Sequence, residues 1–575
     1  MYDLTTGQWQ TTDLLEKLKA EKHAGNELQM RKHPDWVDNY DLYRGKVKTN
    51  RLTQRQAVCI PLMKETIKTI LSKNDEAPSI EWKELGGDED KEILYQEIWD
   101  MGAKENKLEL VDIIDKKNVF LYGIGTRKLN IGDSGIDIEA LDPYDIVFDP
   151  LMAVSDIETA RFVVHQNIFK SVRTILASDR YTKQGKDELL IWLDSPAGIT
   201  QSAEDKKKWE EKMKRLKDMG VGHKDFALFA GGDRIIALTE HFSTVWDEKT
   251  KKWERRVYTY ADDSVLLSDT SLKEAIGVDF WPFVTWTEDP ESTDIYSDSI
   301  ADLVRTPNKI VNVWFSQIIE NRTLKNFQMH WFLPGGNYLP QTYTPGPGVM
   351  LPAPPGDDIN KVIKPVEISG LDDTMEAIGW ITAIVERGTG ATAIEKGTPE
   401  KGTQTLGEVE ILVGKAMERS VGIAKFYRLA YYELCMKWSQ MLDANKPKII
   451  KLYKAGRSGK MYTKKIFASD WESKDGYDAI IGSSSEQEQN EMKTIQKWQF
   501  VLKGHPNNRA LKTISLKREL ELLDLSPDEL KQVEEDEEAQ AQAAAVNPSP
   551  MDGQGGQGDI AAVQDNITKL AGMVA

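Results

Sequence analysis

The longest helical pattern in the chain covers residues 405–442, which read TLGEVEILVGKAMERSVGIAKFYRLAYYELCMKWSQML. Apolar side chains recur along this stretch at helical spacing, which predicts one helix of about ten turns at 3.6 residues per turn. So long a helix is rare in an isolated globular domain. We therefore expect it to pack against other helices of the chain or against copies of the same chain.

The segments just before this helix alternate between helix and loop. Residues 297–326 and 371–387 have apolar residues at helical spacing, and Pro307 predicts a kink or a restart in the first of them. Residues 327–370 are rich in Pro, Gly, Tyr and Asn, which predicts a short strand-and-loop excursion. Residues 388–404 form a polar, glycine-rich loop. The predicted order is helix, excursion, helix, loop and long helix.

The first 296 residues mix helices and strands. Helical patterns occupy residues 1–75 and 91–122, and alternating patterns at 136–150, at 161–166 and between 234 and 267 predict antiparallel strands. The chain is therefore expected to be α+β and predominantly helical.

Three local patterns lead to further expectations. Gly123 and Gly125 lack the third glycine of a dinucleotide-binding fingerprint, so we interpret them as a helix-to-strand turn. The aspartates of residues 136–150 are expected in turns and on the solvated face of the strands. The charge-dense residues 205–217 are expected to form a solvated helical insertion.

The C-terminal part returns to short elements and then loses apolar residues. Residues 448–467 have a strand pattern with a glycine turn, and residues 484–533 predict polar helices. Residues 534–575 are acidic and low in complexity, so we expect disorder except for a short final helix at 560–571.

Composition excludes several classes of protein. The 575 residues carry 74 Lys and Arg against 92 Asp and Glu, a formal charge of −18. This balance argues against a surface that wraps tightly around nucleic acid, but not against one that DNA merely passes. Cys59 and Cys435 are far apart, which excludes a disulfide framework. We also expect no signal peptide and no membrane span.

No catalytic motif stands out. The seven histidines form no HExxH or HxH pair, and no GxSxG elbow is present. Gly397 and Gly402 have the spacing of a phosphate loop, but Thr403 follows where that loop requires lysine. We expect no catalytic residue, no metal site and no cofactor.

Five phrases of the sequence carry a resemblance to a known family. They are WVDNYDLYRGK at 36–46, NRLTQRQAVCIPLMKETIKTIL at 50–71, ALDPYDIVFDP at 140–150, WPFVTWTEDPESTDIYSDSIADLVRTPNKIVN at 281–312 and TQTLGEVEILV at 403–413. These phrases and the order of elements resemble the portal (head-to-tail connector) proteins of tailed bacteriophages, most closely the short-tailed type. The resemblance covers residues 35–530 and is strongest from 281 to 442.

The resemblance implies a ring subunit with an α/β wing, a two-helix stem, a small clip and a helical crown. The clip residues that we single out are Trp331, Tyr338 and Tyr343. Carried onto this chain, the parts are the wing at 1–296, stem helix 1 at 297–326, the clip at 327–370, stem helix 2 at 371–387, the tunnel loop at 388–404, the long wing helix and return strands at 405–483, the crown at 484–533 and the tail at 534–575.

The resemblance also implies partners. These are eleven further copies in a ring of twelve, double-stranded DNA in the channel, the terminase large subunit, the major capsid protein, a scaffold and tail adaptor proteins, but no membrane. The ring would be assembled in the host cytoplasm and lie at one capsid vertex of the virion, where DNA is packaged and ejected. Two alternatives are another virion ring, such as a tail adaptor, and a packaging nucleotide hydrolase. The missing phosphate loop argues against the hydrolase.

The charges of the presumed channel nearly balance. The first stem helix has four cations against Asp298, Asp302 and Glu320. A near-neutral bore would let phosphates slide, whereas a strongly basic one would hold DNA. The stem cations are Arg305, Lys309, Arg322 and Lys325, and the loop residues are Glu395, Lys396, Thr398, Glu400, Lys401 and Thr403.

Lys396 and Lys401 are predicted to touch the DNA backbone transiently. Replacing both by Glu should impair packaging or DNA retention, because the loop would then repel phosphates. Packaging efficiency and retained DNA length measure this directly. Unchanged packaging and retention would remove the hypothesis.

Overall fold

The structure is a computed structural model in which the chain forms two compact units, Met1–Ser484 and Ser485–Ala575. All described residues belong to the first unit, so the predicted crown and tail lie outside them. The described residues are 2–482 without 4–7, 10, 47–57, 75–77, 133–134, 155, 197, 199, 202–206, 213, 215–233, 248–250, 293, 327–329, 333–362, 366–371, 391–405, 447–448 and 456–460.

The described residues mix helices with antiparallel sheets, which confirms the α+β class. The longest helix, at Leu406–Asn445, confirms the single long helix predicted for residues 405–442. The helices are α1 Thr11–Met30, α2 His33–Tyr43, α3 Leu62–Lys73, α4 Glu89–Asn106, α5 Leu108–Tyr122, α6 Val172–Ala177, α7 Lys183–Leu193, α8 Leu272–Ile276, α9 Ile300–Asn326, α10 Asp372–Thr389, α11 Leu406–Asn445 and α12 Ala468–Trp471.

Every strand pair in the described residues is antiparallel. The largest sheet has the order β10-β9-β8-β7-β6, a second has the order β11-β4-β5, and β1-β2, β12-β13, β14-β15 and β16-β3 are two-stranded. The strands are β1 Tyr2–Asp3, β2 Gln8–Trp9, β3 Ser79–Glu84, β4 Gly125–Ile131, β5 Ile136–Ala140, β6 Ile146–Phe148, β7 Phe162–Ser171, β8 Ile235–Asp247, β9 Lys252–Ala261, β10 Val265–Ser271, β11 Phe283–Trp286, β12 His330–Phe332, β13 Ile363–Pro365, β14 Ile449–Ala455, β15 Met461–Phe467 and β16 Tyr477–Gly482.

The helical pattern at 91–122 is divided between α4 and α5. Lys107 lies between them in the left-handed region, with φ at 51°. The Asn106 side chain bonds the backbone of β5 twice, through the Ile136 carbonyl oxygen and the Ile138 N–H. These bonds tie the end of α4 to the neighbouring strand and accompany the change of helix direction.

The turn predicted at Gly123 is confirmed. Gly123 ends α5 with φ at 83°, and β4 begins at Gly125. A Cβ atom on Gly123 would lie 2.0 Å from the Ser297 carbonyl oxygen. Only glycine fits here, because the segment that leads into α9 passes directly over the turn.

The carboxyl end of α5 is capped by side chains from distant parts of the chain. The carbonyl oxygens of Leu121, Tyr122 and Gly123 accept hydrogen bonds of 2.8 to 3.3 Å. These bonds satisfy groups that a helix end leaves without partners, and they fix α2 and the entry to α9 against α5. The donors are Trp36, Asn39, Ser297 and Ser299.

The second half of α11 packs into an aromatic cluster. Trp438 lies edge-on to Trp99 with ring centroids 4.9 Å apart, and Tyr95 stacks on Tyr477 at 3.8 Å. The Tyr95 hydroxyl donates to Ser439 Oγ at 2.7 Å, so the buried polar atom has a partner. This cluster joins α11 to α4 and to the β3-β16 pair.

Two buried cations attach α11 to the second sheet. Lys437 Nζ donates to the carbonyl oxygens of Trp281 and Phe283 at 3.0 and 2.7 Å. Arg127 Nε donates to Asp115 Oδ2 at 2.8 Å, and its guanidinium lies over the ring of Tyr427. The contacts hold α11 against β4 and β11.

Two expectations about charged residues hold only in part, since Asp137 is exposed on β5 and most of helical residues 207–212 are exposed, as expected. Asp145 and Asp149 are buried because each has a cation partner: Lys212 pairs with Asp145, and Arg161 binds both oxygens of Asp149 at 2.7 Å. Helical residues 207–212 of the supposed solvated insertion therefore contact the body, and Trp209 there is buried.

Two buried histidines lie in the five-stranded sheet. His165 Nδ1 is 3.1 Å from Lys128 Nζ, and burial together with the Lys128 charge keeps the pKa of His165 well below its usual value. His241 Nε2 lies 2.9 Å from Glu21 Oε2 on α1, and burial lowers the pKa of His241 as well. Although burial opposes it, the charge of Lys128 lowers the pKa of Glu240 to about 2.

Stability should fall as the pH drops below about 6.5, the usual pKa of histidine. The unfolded chain then binds protons at His165 and His241 that the folded chain does not, so the free energy of unfolding decreases with falling pH. Denaturation measured between pH 7 and 5 should show this slope. His165→Gln should reduce the slope, and His23→Gln, at an exposed position, should leave it as in the wild type. An unchanged slope in His165→Gln would contradict the assignment.

Candidate functional site

The candidate site is the hairpin of α9 and α10, which pack against each other. At its far end the short strands β12 and β13 pair, with Trp331 opposite Lys364. The two predicted helices are thus present, with one strand pair between them, while residues 333–362 of the predicted excursion lie outside the described residues. Tyr338 and Tyr343 of the presumed clip lie outside the described residues, as do the tunnel-loop residues from 391 onward.

Helix α9 continues through Pro307. The helix runs unbroken from Ile300 to Asn326, so neither a fresh start nor a second helix occurs at the proline. Proline lacks an N–H and removes the hydrogen bond to the Leu303 carbonyl four residues earlier. Packing of Val304 and Val311, both buried, accompanies the continuous helix.

A polar ladder occupies the buried face of α9. Asn308, Asn312 and Ser316 follow one another at intervals of four residues, so they share one face, and all are at most 2% exposed. Asn308 Oδ1 accepts from the Met63 N–H at 2.9 Å, and Asn312 Oδ1 from the Ile60 N–H at 2.8 Å.

Ser316, the third residue of the ladder, also accepts a hydrogen bond from the backbone of the segment before α3. Ser316 Oγ accepts from the Val58 N–H at 3.2 Å, and Asn308 Nδ2 donates to the Ile60 carbonyl oxygen at 3.2 Å. The chain before α3 thus lies along α9, and side chains of α9 satisfy its backbone groups. Sequence analysis missed these residues, although polar residues at positions i, i+4 and i+8 on an otherwise apolar face were a usable signal.

Two of the four presumed channel cations contact α2. Arg305 Nη1 lies 2.8 Å from an oxygen of Asp35 and 2.8 Å from one of Asp302. Lys309 Nζ lies 2.7 Å from Asp38 Oδ2. These carboxylates neutralise both cations and fix the first half of α9 beside α2.

The other two cations lie near the end of the helix. Arg322 and Lys325 are exposed in the last turns of α9. Arg305 and Arg322 are separated by about 25 Å at 1.5 Å per residue. The four cations therefore form two groups rather than one patch.

The outer faces of both hairpin helices carry exposed apolar side chains. On α9, Leu303, Ile310 and Val313 are 62%, 37% and 39% exposed. They fall within about 80° of arc at 100° per residue, opposite the buried face. On α10, Trp380 and Ile384 lie one turn apart and are 69% and 47% exposed.

The described part of the chain has no group of three or more His, Cys, Asp or Glu side chains placed to hold a metal ion. Within the same residues, none of the helices combines the length and apolarity needed to cross a membrane.

Comparison with known proteins gives one family. The sequence model described as "Phage SU10 portal protein" matches residues 25–454. A solved chain entitled "Neck of empty GTA particle computed with C6 symmetry" is similar over 71% of this chain and 82% of its own length, at 11% identity and a TM-score of 0.36. No curated protein sequence matches.

Asn312→Leu should destabilise the unit by about 1–3 kcal/mol, because the part-buried Ile60 N–H would lose its acceptor. The free energy of unfolding from chemical denaturation measures the change. Gln317→Leu, at an exposed position on the same helix, is the control and should change stability by about 0.5 kcal/mol or less. Equal effects of the two substitutions would contradict the role of the ladder.

Proposed function

Since the chain belongs to the phage SU10 portal protein family, whose model matches most of its length, we propose how it works as a portal: copies form a closed ring through the α9–α10 hairpins, and genomic DNA passes through the centre. A portal protein occupies one capsid vertex and is a component of the virion. The proposed mode of assembly rests on one observation, the exposed apolar side chains on both hairpin helices.

Large apolar side chains on two different outer faces favour a ring. The stripe on α9 and the pair Trp380 and Ile384 on α10 are different surfaces of the same hairpin. When unlike surfaces of identical subunits meet, the contact repeats around an axis and closes if the rotation allows it. Burying these side chains between neighbours removes apolar area from water, which stabilises the ring. We propose twelve subunits.

The charge distribution supports passage of DNA without tight binding. Asp35 and Asp38 neutralise Arg305 and Lys309, so fewer cations of α9 are available to phosphates than the sequence indicates. Fewer phosphate contacts mean less counterion release and weaker retention. In this proposal Arg322 and Lys325, together with Lys396 and Lys401 of the tunnel loop, make the transient contacts with the DNA backbone.

The proposal assigns no catalysis to this chain. The portal family is structural, and the energy for packaging would come from the terminase large subunit docked on the clip, near Trp331. The major capsid protein, a scaffold and tail adaptors would contact the outer surface of the ring during assembly in the host cytoplasm. ATP turnover by the purified chain would contradict the proposal that the terminase, and not this chain, supplies the energy for packaging.

Replacing Trp380 and Ile384 together by Lys should abolish the ring, because charged groups cannot be buried unpaired between neighbours. Mass photometry of the purified protein should then show a shift from the ring mass to monomer. Leu85→Lys with Ile93→Lys makes the same change at exposed apolar positions in the turn after β3 and on α4 and should keep the ring. Intact rings in the hairpin variant would exclude this face as the subunit interface.

A further inference from the structure

The hairpin of β8 and β9 projects beyond the rest of the five-stranded sheet. Strand β7 pairs with β8 only as far as Ser243, and β10 pairs with β9 only as far as Arg256. Within the described residues, 244–247 and 252–255 therefore pair as strands only with each other. We call this part of the hairpin the ribbon. A two-stranded ribbon is only marginally stable in water, so a contact with another surface would stabilise it.

Two tryptophans are exposed on the ribbon. Trp246 and Trp253 lie directly opposite each other, with ring centroids 5.3 Å apart, and Trp253 is 67% exposed. Lys251 and Lys252, which come just before Trp253, are exposed as well. The contact between the rings stabilises the hairpin but leaves much of both indoles in water. Tryptophan is enriched in the buried centres of protein interfaces, so the ribbon has the composition of a binding element.

Helix α7 presents a second exposed apolar surface. Leu190 and Ile191 are both exposed, Ile191 to 75%. Asp187, Leu190, Ile191 and Asp194 follow the spacing i, i+3, i+4 and i+7, which places them on one face, and all four are exposed. In the described residues this face of α7 is therefore turned to solvent.

The two surfaces are complementary in charge. The tryptophans of the ribbon lie next to two lysines, whereas the apolar pair of α7 is flanked by Asp187, Glu188 and Asp194. The lysines of α7, Lys183 and Lys186, belong to its first turn. The negative charge is thus concentrated toward the carboxyl end of α7, where the helix dipole is negative too.

The ribbon and α7 lie toward opposite ends of the same sheet. Leu189 of α7 packs with Ile236 and Leu238 near the start of β8, whereas Trp246 lies near its end. The distance along β8 from Leu238 to Trp246 is about 26 Å at 3.3 Å per residue. The ribbon and α7 of one chain therefore cannot meet, but those of two neighbouring copies can.

Helix α7 is a rigid surface for such a contact. Thr182 Oγ1 accepts a hydrogen bond from the Gly185 N–H at 3.1 Å and donates one to the Leu267 carbonyl oxygen at 3.0 Å. A Cβ atom on Gly185 would lie 2.6 Å from the Leu266 carbonyl oxygen, so glycine lets α7 approach the backbone of β10 closely. A surface that is already fixed loses little conformational entropy on binding.

We propose that the ribbon of one subunit docks on the exposed face of α7 of the next subunit. The indoles cover Leu190 and Ile191, and the lysines of the ribbon pair with the carboxylates around them. Because two unlike surfaces meet, the same contact repeats from subunit to subunit around an axis. This contact rests on the proposed ring and adds an interface built from other elements than the α9–α10 hairpins.

Cysteine cross-linking of the full-length protein tests the contact. In a Cys59→Ser background, where Cys435 is buried, Trp253→Cys with Ile191→Cys in one chain should give a ladder of covalent oligomers with a short bismaleimide. Chains with only one of these two cysteines, mixed before assembly, should give covalent dimers and nothing larger. Leu151→Cys with Trp253→Cys moves the first cysteine to another exposed apolar position and should give no ladder.

Charge reversal tests the proposed complementarity. Lys251→Glu with Lys252→Glu should lower the yield of the ladder several-fold, because like charges would then face each other. Adding Asp187→Lys with Glu188→Lys to the same chain restores the opposite charges and should restore the yield. An equal yield in all three proteins would show that these charges do not face each other and would overturn the proposal.

Mass photometry of the protein before cross-linking separates this contact from the ring itself. Rings that give no ladder would contradict the contact and leave the ring intact. A ladder without closed rings would support the contact and contradict the ring, and monomers without cross-links would contradict both. Cross-linking of Trp253→Cys chains to one another would indicate a two-fold contact between ribbons, which also overturns the proposal.

Discussion

The carbonyl groups at the carboxyl end of α5 constrain much of the first unit. A helix end leaves these carbonyl oxygens without donors in its own backbone, and burial excludes water as an alternative donor. Here the donors come from α2 and from the two serines just before α9, so the cap determines where the hairpin starts. Gly123 permits the close approach, since any side chain would clash with Ser297. The direction of α9 thus follows from a hydrogen-bonding requirement nearly two hundred residues earlier in the sequence.

The elements with long periodic patterns could be predicted from the sequence. The two hairpin helices, the long α11 and the strands within 136–148, 162–171, 235–271 and 449–467 occur close to their predicted positions, because burial of one face repeats with the period of the element. The strands β4, β11 and β16 were not predicted. The boundary at Lys107 could not be predicted, since it depends on bonds from Asn106 to a strand thirty residues later. Asp145 and Asp149 were misassigned for the same reason, because their cation partners are distant in sequence or in another element.

The candidate site could likewise be predicted only in part from the sequence. Sequence spacing identified the hairpin and its cations, but not the carboxylates of α2 that neutralise Arg305 and Lys309. Nor did it identify the ladder of Asn308, Asn312 and Ser316, because polar residues on a helix are ordinarily assigned to solvent. Together these contacts make the first half of α9 a fixed, nearly neutral element, and leave its outer face and last turns to meet other molecules. This arrangement is consistent with the proposed ring, in which each subunit holds its neighbours firmly and DNA weakly.

Electron microscopy of the purified protein tests directly whether the chain assembles into a ring. Particles viewed along their axis would reveal the number of subunits and the width of any central opening. We expect a closed ring of about twelve copies, with the α9–α10 hairpins around an axial hole wide enough for duplex DNA. A monomer, or a compact assembly without an axial opening, would contradict it.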